Sequence, residues 1–251
     1  MTLRIALTTL AASIVATTSF AQTAPKPDGQ WRGGIGLSAA AARGNTETTT
    51  LGLNADLIRQ TSVDKIGFYL QDIYGTSKNS SGVKSTSAQI FRLGGKYDRD
   101  ITEKLYAFGA LEYEHDKLAG VKERILPQGG VGLHIIKSEA TTFDVFAGVA
   151  YNHTRYYVDP TTRDGELLIG EESVHKISAS TSIKQRLAMY APFDDLSDSR
   201  AQFDAGLTTA IIGGWNLVVN YTFRHNNAPP LGKKKSDSLI FTGLQYSFGP
   251  K

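Results

Sequence analysis

The sequence predicts an all-β protein: an antiparallel transmembrane β-barrel of about twelve strands, preceded by a cleaved signal peptide. Segments of about ten residues that alternate polar and apolar side chains recur from residue 30 to residue 248, which is the pattern of barrel strands. No apolar run there reaches the roughly 18 residues that a membrane helix needs. The connections alternate between tight turns and longer polar loops, as they do at the two ends of an outer-membrane barrel.

The N-terminus has the organisation of a secretory signal. It begins MTLRIALTTLAASIVATTSFAQ, with a positive charge at Arg4, an uncharged apolar stretch, and small residues leading to Ala21. The apolar stretch is too short to span a bilayer as a stop-transfer helix. We therefore expect three regions: a signal peptide at 1–21, a short periplasmic segment at 22–29, and the barrel at 30–248.

The strands are predicted from alternation and from turn residues such as Gly, Pro, Asn, Asp and Ser. They are expected at 30–43, 46–60, 65–77, 85–98, 104–117, 123–137, 141–156, 170–179, 182–191, 199–211, 214–226 and 236–248. The turn near Ser178 is the least well marked. If 170–191 were one long strand, the count would be eleven and the termini would lie on opposite sides, which bacterial single-chain barrels usually avoid.

The segment WNLVVNYTFRH shows the two faces of such a strand, because alternate side chains point to opposite sides. An apolar face of this kind packs on a core in a soluble sheet or contacts lipid in a membrane barrel. The apolar series often end in Tyr, Trp or Phe, which is typical of the aromatic girdles of membrane barrels. The predicted lipid-facing residues include Trp215, Leu217, Val219, Tyr221, Phe223, Leu244, Tyr246 and Phe248.

The opposite parity carries polar residues of both signs, which we predict to line the lumen. The candidates are Asp56, Arg92, Lys96, Glu112, Glu114, Asp144, Lys184, Arg186, Asp204, Asn220 and Arg224. They could form a network of paired charges that fills the barrel. Alternatively, they could line a narrow water-filled passage that selects a small polar solute. A lumen of twelve strands lies between the filled eight-stranded and the open 16-stranded cases, so both interpretations stay open.

Composition excludes several kinds of site. The chain has no cysteine, so disulfides, thiolate metal sites and thiol nucleophiles are excluded. The net charge of +3 comes from Lys and Arg scattered among acids, which argues against a nucleic-acid partner. The five His are dispersed, and DPTTRDGE lacks the alternating acidic ligands of a calcium loop. We expect no cofactor and no metal.

A barrel enzyme would need a His and a Ser nucleophile together on the outer wall. His153 is followed by Thr154, and neighbouring residues point to opposite faces. His175 and Ser173 share a face, but no adjacent acid or amide in the sequence completes a relay. We therefore predict a protein that is not an enzyme. The alternatives are a secreted soluble β-sandwich that binds a ligand and, less favoured, a barrel lipid hydrolase.

Two stretches, WRGGIGLSAAAARGNTETTTLGLNADLIRQT and NYTFRHNNAPPLGKKKSDSLIFTGLQYSF, resemble the salt-induced outer-membrane protein family of Gram-negative bacteria, a family of unknown function. The similarity in layout extends over most of 30–248, although 157–191 matches poorly. It implies an outer-membrane β-barrel. From the barrel and its charged inner face we expect an uncharacterised role, related to the envelope or to osmotic stress or as a narrow channel for small polar solutes. The family supplies no substrate.

The C-terminal strand indicates how the chain reaches the membrane. Its last aromatic residues resemble the terminal signature of bacterial outer-membrane barrels, although Gly249, Pro250 and Lys251 follow Phe248. This resemblance implies recognition by the barrel-assembly machinery. The other expected partners are outer-membrane lipid and lipopolysaccharide. The basic cluster Lys233–Lys235 is either a contact to lipopolysaccharide phosphates or a solvated loop tip.

Overall fold

Twelve antiparallel strands close into a barrel in which β1 pairs with β12, as predicted. The computed structural model describes residues 27–42 and 47–250, so the expected signal peptide lies outside the described residues. The strands are β1 Trp31–Ala42, β2 Glu47–Gln60, β3 Asp64–Lys78, β4 Lys84–Asp100, β5 Leu105–Asp116, β6 Val121–Lys137, β7 Thr141–Tyr156, β8 Thr162–Lys176, β9 Thr181–Pro192, β10 Arg200–Ile212, β11 Trp215–Asn226 and β12 Ser236–Phe248. A short 3-10 turn, Leu196–Asp198, follows β9.

The prediction was least accurate at β8, which begins eight residues before the expected start at residue 170. The polar sequence TRDGE is typical of a loop, but here it forms strand because its acids can face an ionic lumen. Glu166 is 2% exposed and pairs with Arg200, while Leu167 on the next position points outward and is 43% exposed. The turn after β8 does exist, and Ser178 Oγ accepts hydrogen bonds from the amides of Ser180 and Thr181.

Tight turns lie at one end of the barrel, which we call the inner rim, and the longer loops lie at the other, the outer rim. At the inner rim Thr61 Oγ1 accepts the amides of Val63 and Asp64. Gly213 and Gly214 form another inner turn with φ of +58° and +88°, a conformation that favours glycine. By the usual arrangement of bacterial barrels, the inner rim faces the periplasm.

The outer surface is a continuous apolar band. Large apolar side chains are exposed on every strand, including Leu37, Leu51, Leu111, Val149 and Leu217. Near the inner rim Trp31 stacks on Phe68 and Trp215 packs edge-on against Tyr246, as expected of an aromatic girdle. A soluble protein does not leave so large an apolar surface uncovered, whereas a closed barrel places it in lipid.

The barrel is therefore that of an integral outer-membrane protein, and a two-sheet soluble sandwich is not what this sequence forms. Among the described residues, no helix combines the length and apolar character required to cross a bilayer.

Two acids break the apolar band. On β3 the polar residues Gln71 and Asp72 have opposite parities, and the structure buries Gln71 inside and exposes Asp72 outside. Asp72 lies between Leu53 and Phe91 on the neighbouring strands. Glu171 occupies a similar outward position on β8. Both carboxylates lie on the lipid-facing side of the barrel, where lipid chains do not offset the cost of removing a carboxylate from water.

Part of the lumen is filled by an apolar core on β5 to β9. Its members are Tyr106, Phe108, Leu126, Phe146, Ala150, Leu168, Ala188 and Tyr190. The rings lie flat on neighbouring glycines: a Cβ on Gly132 would sit 2.3 Å from the Tyr106 ring, and one on Gly170 would sit 2.5 Å from Phe146. This one-sided core narrows the lumen and positions the charged residues described next.

The seam between β1 and β12 is held at the inner rim by Arg32. Its guanidinium donates to both carboxylate oxygens of Asp28 at 2.8 and 2.5 Å, and its Nε donates to the carbonyl of Pro250 at 2.9 Å. The hydrogen bonds from Arg32 hold the pKa of Asp28 below its usual range. Segments from both ends of the barrel are thereby tied together where the sheet closes.

Candidate functional site: the charged lumen

The polar residues predicted from strand parity lie on the inner face of the barrel. They are Asp56, Arg92, Lys96, Glu112, Glu114, Asp144, Lys184, Arg186, Asp204, Asn220 and Arg224. On the opposite parity, Trp215, Leu217, Leu244, Tyr246 and Phe248 are all more than 40% exposed, and Val219, Tyr221 and Phe223 are half-buried in the outer band. The site is therefore a lumen whose charges are held by rigid strands.

Nearer the outer rim, a connected set of side chains runs around the wall from β4 to β10. We call it the arginine network; it consists of Arg92, Glu114, Arg124, Asn152, Thr154, Glu166 and Arg200. At one end Glu114 accepts from Arg92 and from Arg124, both at 2.7 Å. At the other, Arg200 donates to Glu166 at 2.6 Å. Every charged member is buried, which only such pairing makes tolerable.

Polar uncharged side chains connect the two ends of the arginine network. Arg124 Nε donates to Thr154 Oγ1 at 2.9 Å, and Thr154 donates to Asn152 at 2.6 Å. Asn152 Nδ2 in turn donates to Glu166 at 2.9 Å. These three hydrogen bonds form a path that crosses three strands, and the strand register fixes its geometry.

Sequence reasoning missed the residues of this network that stand near strand ends. Arg124 and Arg200 each lie one residue inside a predicted strand, and Glu166 lay in a predicted loop. A signal was present for Arg200, because it shares its parity with Gln202 and Asp204. Extending each parity series to the last residue of its strand would have identified it.

Nearer the inner rim, Lys96 forms the centre of a second group, the lysine cluster. Its Nζ lies 3.2 Å from Asp98 and 3.5 Å from Glu172, and 5.4 to 5.6 Å from the ring centres of Tyr106, Phe108 and Phe146. Lys96 is on β4 and Glu172 on β8, so this ion pair reaches across the lumen. Glu172 also accepts from Arg186 Nε at 3.0 Å. The cluster narrows the passage at this level.

The remaining inward acids have their own partners. The Tyr69 hydroxyl donates to Glu112, Gln245 donates to Asp56 at 2.8 Å, and Arg224 donates to both oxygens of Asp204 at 2.8 and 3.2 Å. Glu112 and Glu114 share a face, but different groups hold them.

Two chambers lie in series between the rims. The inner chamber has a volume of about 140 Å³ and the outer chamber about 370 Å³. Arg92, Gln202 and Arg224 line both, and we call them the junction. The cations of the outer chamber are Arg92, Arg124, Arg200, Arg224, Lys233, Lys234 and Lys235, against the acids Glu114, Asp116 and Asp237. Glu166 and Asp204, which pair with Arg200 and Arg224 from just outside this lining, bring the acids to five. The seven cations still exceed them, so the outer chamber is positively charged.

The loop between β11 and β12, residues 227–235, reaches over the mouth of the outer chamber. The amide of Leu231 donates to Asp159 beyond β7 at 3.3 Å. Pro230 and Lys233 lie against Gly120, where a Cβ would be 3.6 and 3.3 Å from them. Gly120 belongs to the turn after β5, on the opposite wall. The lysines at 233–235, expected either to contact lipopolysaccharide phosphates or to form a solvated loop tip, thus line the entrance of the chamber.

The histidines considered for catalysis have other contacts. His175 Nδ1 lies 2.6 Å from Thr141 Oγ1, and Arg163 Nε lies 3.3 Å from His153 Nδ1. His134 lies between Asp100 and Asp144 at 3.1 and 2.7 Å. Within the described ranges no group of three or more acids and histidines is placed to hold a metal ion.

Comparison with known proteins identifies the family. A family model described as a protein of unknown function, DUF481, matches residues 35–248. The uncharacterized protein YdiY of Escherichia coli K12 is 21% identical over 227 residues, covering 90% of this chain and 85% of that protein.

Two solved structures are among those to which this barrel is similar. The NanC porin has a TM-score of 0.46 at 8% identity, covering 86% of this chain and 97% of the porin. The translocator domain of the autotransporter NalP from Neisseria meningitidis has a TM-score of 0.45 at 11% identity, covering 86% of this chain and 87% of that one. By its family match, this chain belongs to the DUF481 family of proteins of unknown function.

Proposed function

We propose that this outer-membrane barrel is a narrow channel for small anions, and that it is not an enzyme. The observation that carries the proposal is the surplus of cations along both chambers. The outer chamber has seven cationic residues against five acids, counting its three lining acids and the partners of Arg200 and Arg224, Glu166 and Asp204. The inner chamber has six, Lys65, Arg92, Lys96, Lys184, Arg186 and Arg224, against Asp98, Glu112, Glu172 and Asp204.

A positive lumen with low-dielectric walls concentrates anions and repels cations. The lysines at the entrance extend this field towards the outer rim, and the arginines at the junction continue it to the inner chamber. Because the junction and the cross-lumen pair of Lys96 with Glu172 narrow the path, the solute must be small. The channel therefore selects by sign of charge and by size.

The outer surface of the barrel has features that suit each of the expected partners. Outer-membrane lipid surrounds the apolar band. For lipopolysaccharide, outward-facing cations at the outer rim support contact better than the lysines at 233–235: Arg155 is 48% exposed, and Lys122 and Arg163 are also exposed. The exposed series Leu244, Tyr246 and Phe248 on β12 supports recognition by the barrel-assembly machinery. Export through a signal peptide at 1–21 is part of the same proposal.

Reversal potentials in planar bilayers test the function. With a gradient of KCl across a bilayer that contains the purified barrel, chloride should be more permeant than potassium. Replacing Lys233, Lys234 and Lys235 together by Ala should reduce this preference, whereas the matched control Lys122→Ala, which removes a charge from the outer face, should leave it unchanged.

A preference for potassium, or no conductance from correctly folded protein, would contradict the channel. The enzymatic alternative is tested separately with phospholipid vesicles, from which the protein should release fatty acid only at the background rate.

A further inference from the structure

Two arginines near the junction use only part of their hydrogen-bonding capacity. Arg200 Nη1 and Arg224 Nε are buried, and neither has a hydrogen-bond acceptor within the part of the chain that the structure describes. Both residues line the outer chamber. A guanidinium group presents its N–H donors in a rigid planar fork. Leaving a buried donor without an acceptor costs free energy, and an anion in the chamber that reaches these donors after a small side-chain shift would remove that cost.

Arg200 is held firmly while this donor stays unused. Its side chain is 8% exposed, and its Nε and Nη2 donate to Glu166 at 3.2 and 2.6 Å. Its guanidinium carbon lies 4.0 Å from the centre of the Tyr190 ring. The carboxylate fixes one edge and the ring covers one face, so the Nη1 edge is pre-organised.

Arg224 presents a second unused donor from the neighbouring strand. Its terminal nitrogens are bound to Asp204 and to the carbonyls of Phe203 and Phe223, which leaves Nε. Arg224 pairs across the sheet with Gln202 on β10. Arg200 lies two residues before Gln202 on the same strand and faces inward as well, so it is a diagonal neighbour of Arg224. Diagonal neighbours of this kind lie about 7 Å apart, within joint reach of one small anion.

We infer that Arg200 and Arg224, with the Gln202 side chain between them, form a binding site for one oxyanion group of a small organic acid, either a carboxylate or a phosphate. This inference deepens the proposed function and rests on it for the route by which the solute arrives. Guanidinium forks match the oxygen geometry of carboxylates and phosphates, and charged acceptors make the strongest hydrogen bonds. The outer chamber, at about 370 Å³, has space for the rest of a small molecule.

The site should discriminate against neutral analogues. A neutral hydroxyl group in place of the oxyanion offers no negative charge to the two guanidinium groups. Their remaining N–H donors already bind partners within the protein, so the hydroxyl gains little. The matched probes are glucuronate, glucose 6-phosphate and glucose, which share a sugar ring and differ in the group that would meet the arginines. Calorimetric titration of the purified barrel in detergent measures their binding without requiring conductance.

We expect glucuronate or glucose 6-phosphate to bind at least ten times more tightly than glucose. Arg200→Lys keeps a cation for Glu166 but removes the planar Nη1 donor, and Arg224→Lys removes Nε in the same way; each should weaken binding of the anion about ten-fold or more. Arg99→Lys is the matched control: Arg99 lies outside both chambers, 57% exposed and paired with Asp64 at the inner rim, and this variant should bind as the unmodified protein does. Arg224 is the less buried of the two, so its variant provides the test if Arg200→Lys does not fold.

Equal affinity for glucose and for the two anions, or unchanged affinity in a folded Arg200→Lys or Arg224→Lys variant, would overturn the site. Failure of the site and failure of the channel are separable. If the barrel prefers chloride but does not bind the organic anions, the channel stands and the site is rejected. If the barrel does not conduct but binds the anions, and Arg224→Lys abolishes that binding, the site stands and the channel is rejected.

Discussion

Replacement of Glu114 by Gln tests whether the arginine network is buried and whether its charge shapes the passage. Glu114 accepts three hydrogen bonds from two guanidinium groups, at 3.2 and 2.7 Å from Arg92 and 2.7 Å from Arg124. The three side chains are 6 to 10% exposed. In Glu114→Gln, two buried cations lose their shared counter-charge and face a neutral amide.

The expected loss of stability can be scaled from buried ion pairs. Removal of one partner from such a pair costs about 3–5 kcal/mol, because the other charge remains buried without compensation. Here water in the outer chamber can reach part of the two guanidinium groups, which places the expected loss at the lower limit, about 3 kcal/mol. Urea unfolding of the barrel refolded into lipid vesicles, followed by tryptophan fluorescence, measures it.

The matched control is Glu123→Gln. Glu123 contacts Arg155 at 3.4 Å with side chains 29 and 48% exposed, so the same chemical change should cost less than about 1 kcal/mol. Glu114→Gln should also strengthen the preference for chloride, since it removes an acid from the positive outer chamber. Equal stability of the two variants would refute the description of the network as buried, and a shift towards potassium would refute its place in the passage.

Three further predictions concern the fold. Asp72→Leu should stabilise the barrel in lipid by about 1 kcal/mol or more in the same urea assay, because an outward carboxylate within the apolar band is replaced by an apolar side chain; a loss of stability would contradict the lipid-facing assignment. Gly132→Val should prevent or slow refolding, measured by heat-modifiable mobility on gels, because its Cβ would lie 2.3 Å from the Tyr106 ring. Asp28→Asn should weaken the seam at pH 7, as measured by the urea midpoint. Because Arg32 lowers the pKa of Asp28 in the folded barrel, the stability advantage of the unmodified protein should persist above the ordinary Asp pKa and decline as the pH falls below that value. A difference in urea midpoints that does not change with pH would contradict this prediction.

Strand parity was enough to predict the barrel and the direction of most side chains. In β11, five outward and five inward residues alternate without interruption, so Trp215 and Arg224 could be assigned to opposite faces from sequence alone. Parity failed where polar sequence imitated a loop. Glu166 and its neighbours contain Asp, Gly and Arg, and only the presence of Arg200 on the strand after next makes a strand favourable there.

Contacts across the lumen could not be predicted in the same way. Lys96 and Glu172 are separated by three intervening strands, and their meeting depends on the tilt of the strands and on aromatic rings that support the lysine. The position of the lysines at 233–235 depends on a hydrogen bond to Asp159 and on packing against Gly120, which no local pattern indicates. Sequence identified which side chains face inward, but not which of them meet.

The structure also shows why the two interpretations of the lumen are compatible. A fully paired lumen would be neutral. Glu114, however, is shared by Arg92 and Arg124, so each of these three charged side chains has a partner and the three together still carry a net positive charge. Arg200 likewise has its carboxylate partner and retains an unused donor. Ion pairing stabilises the barrel wall, while the excess of basic over acidic side chains leaves a positive electrostatic potential in the lumen. The same side chains can therefore hold the barrel wall rigid and attract an anion into it.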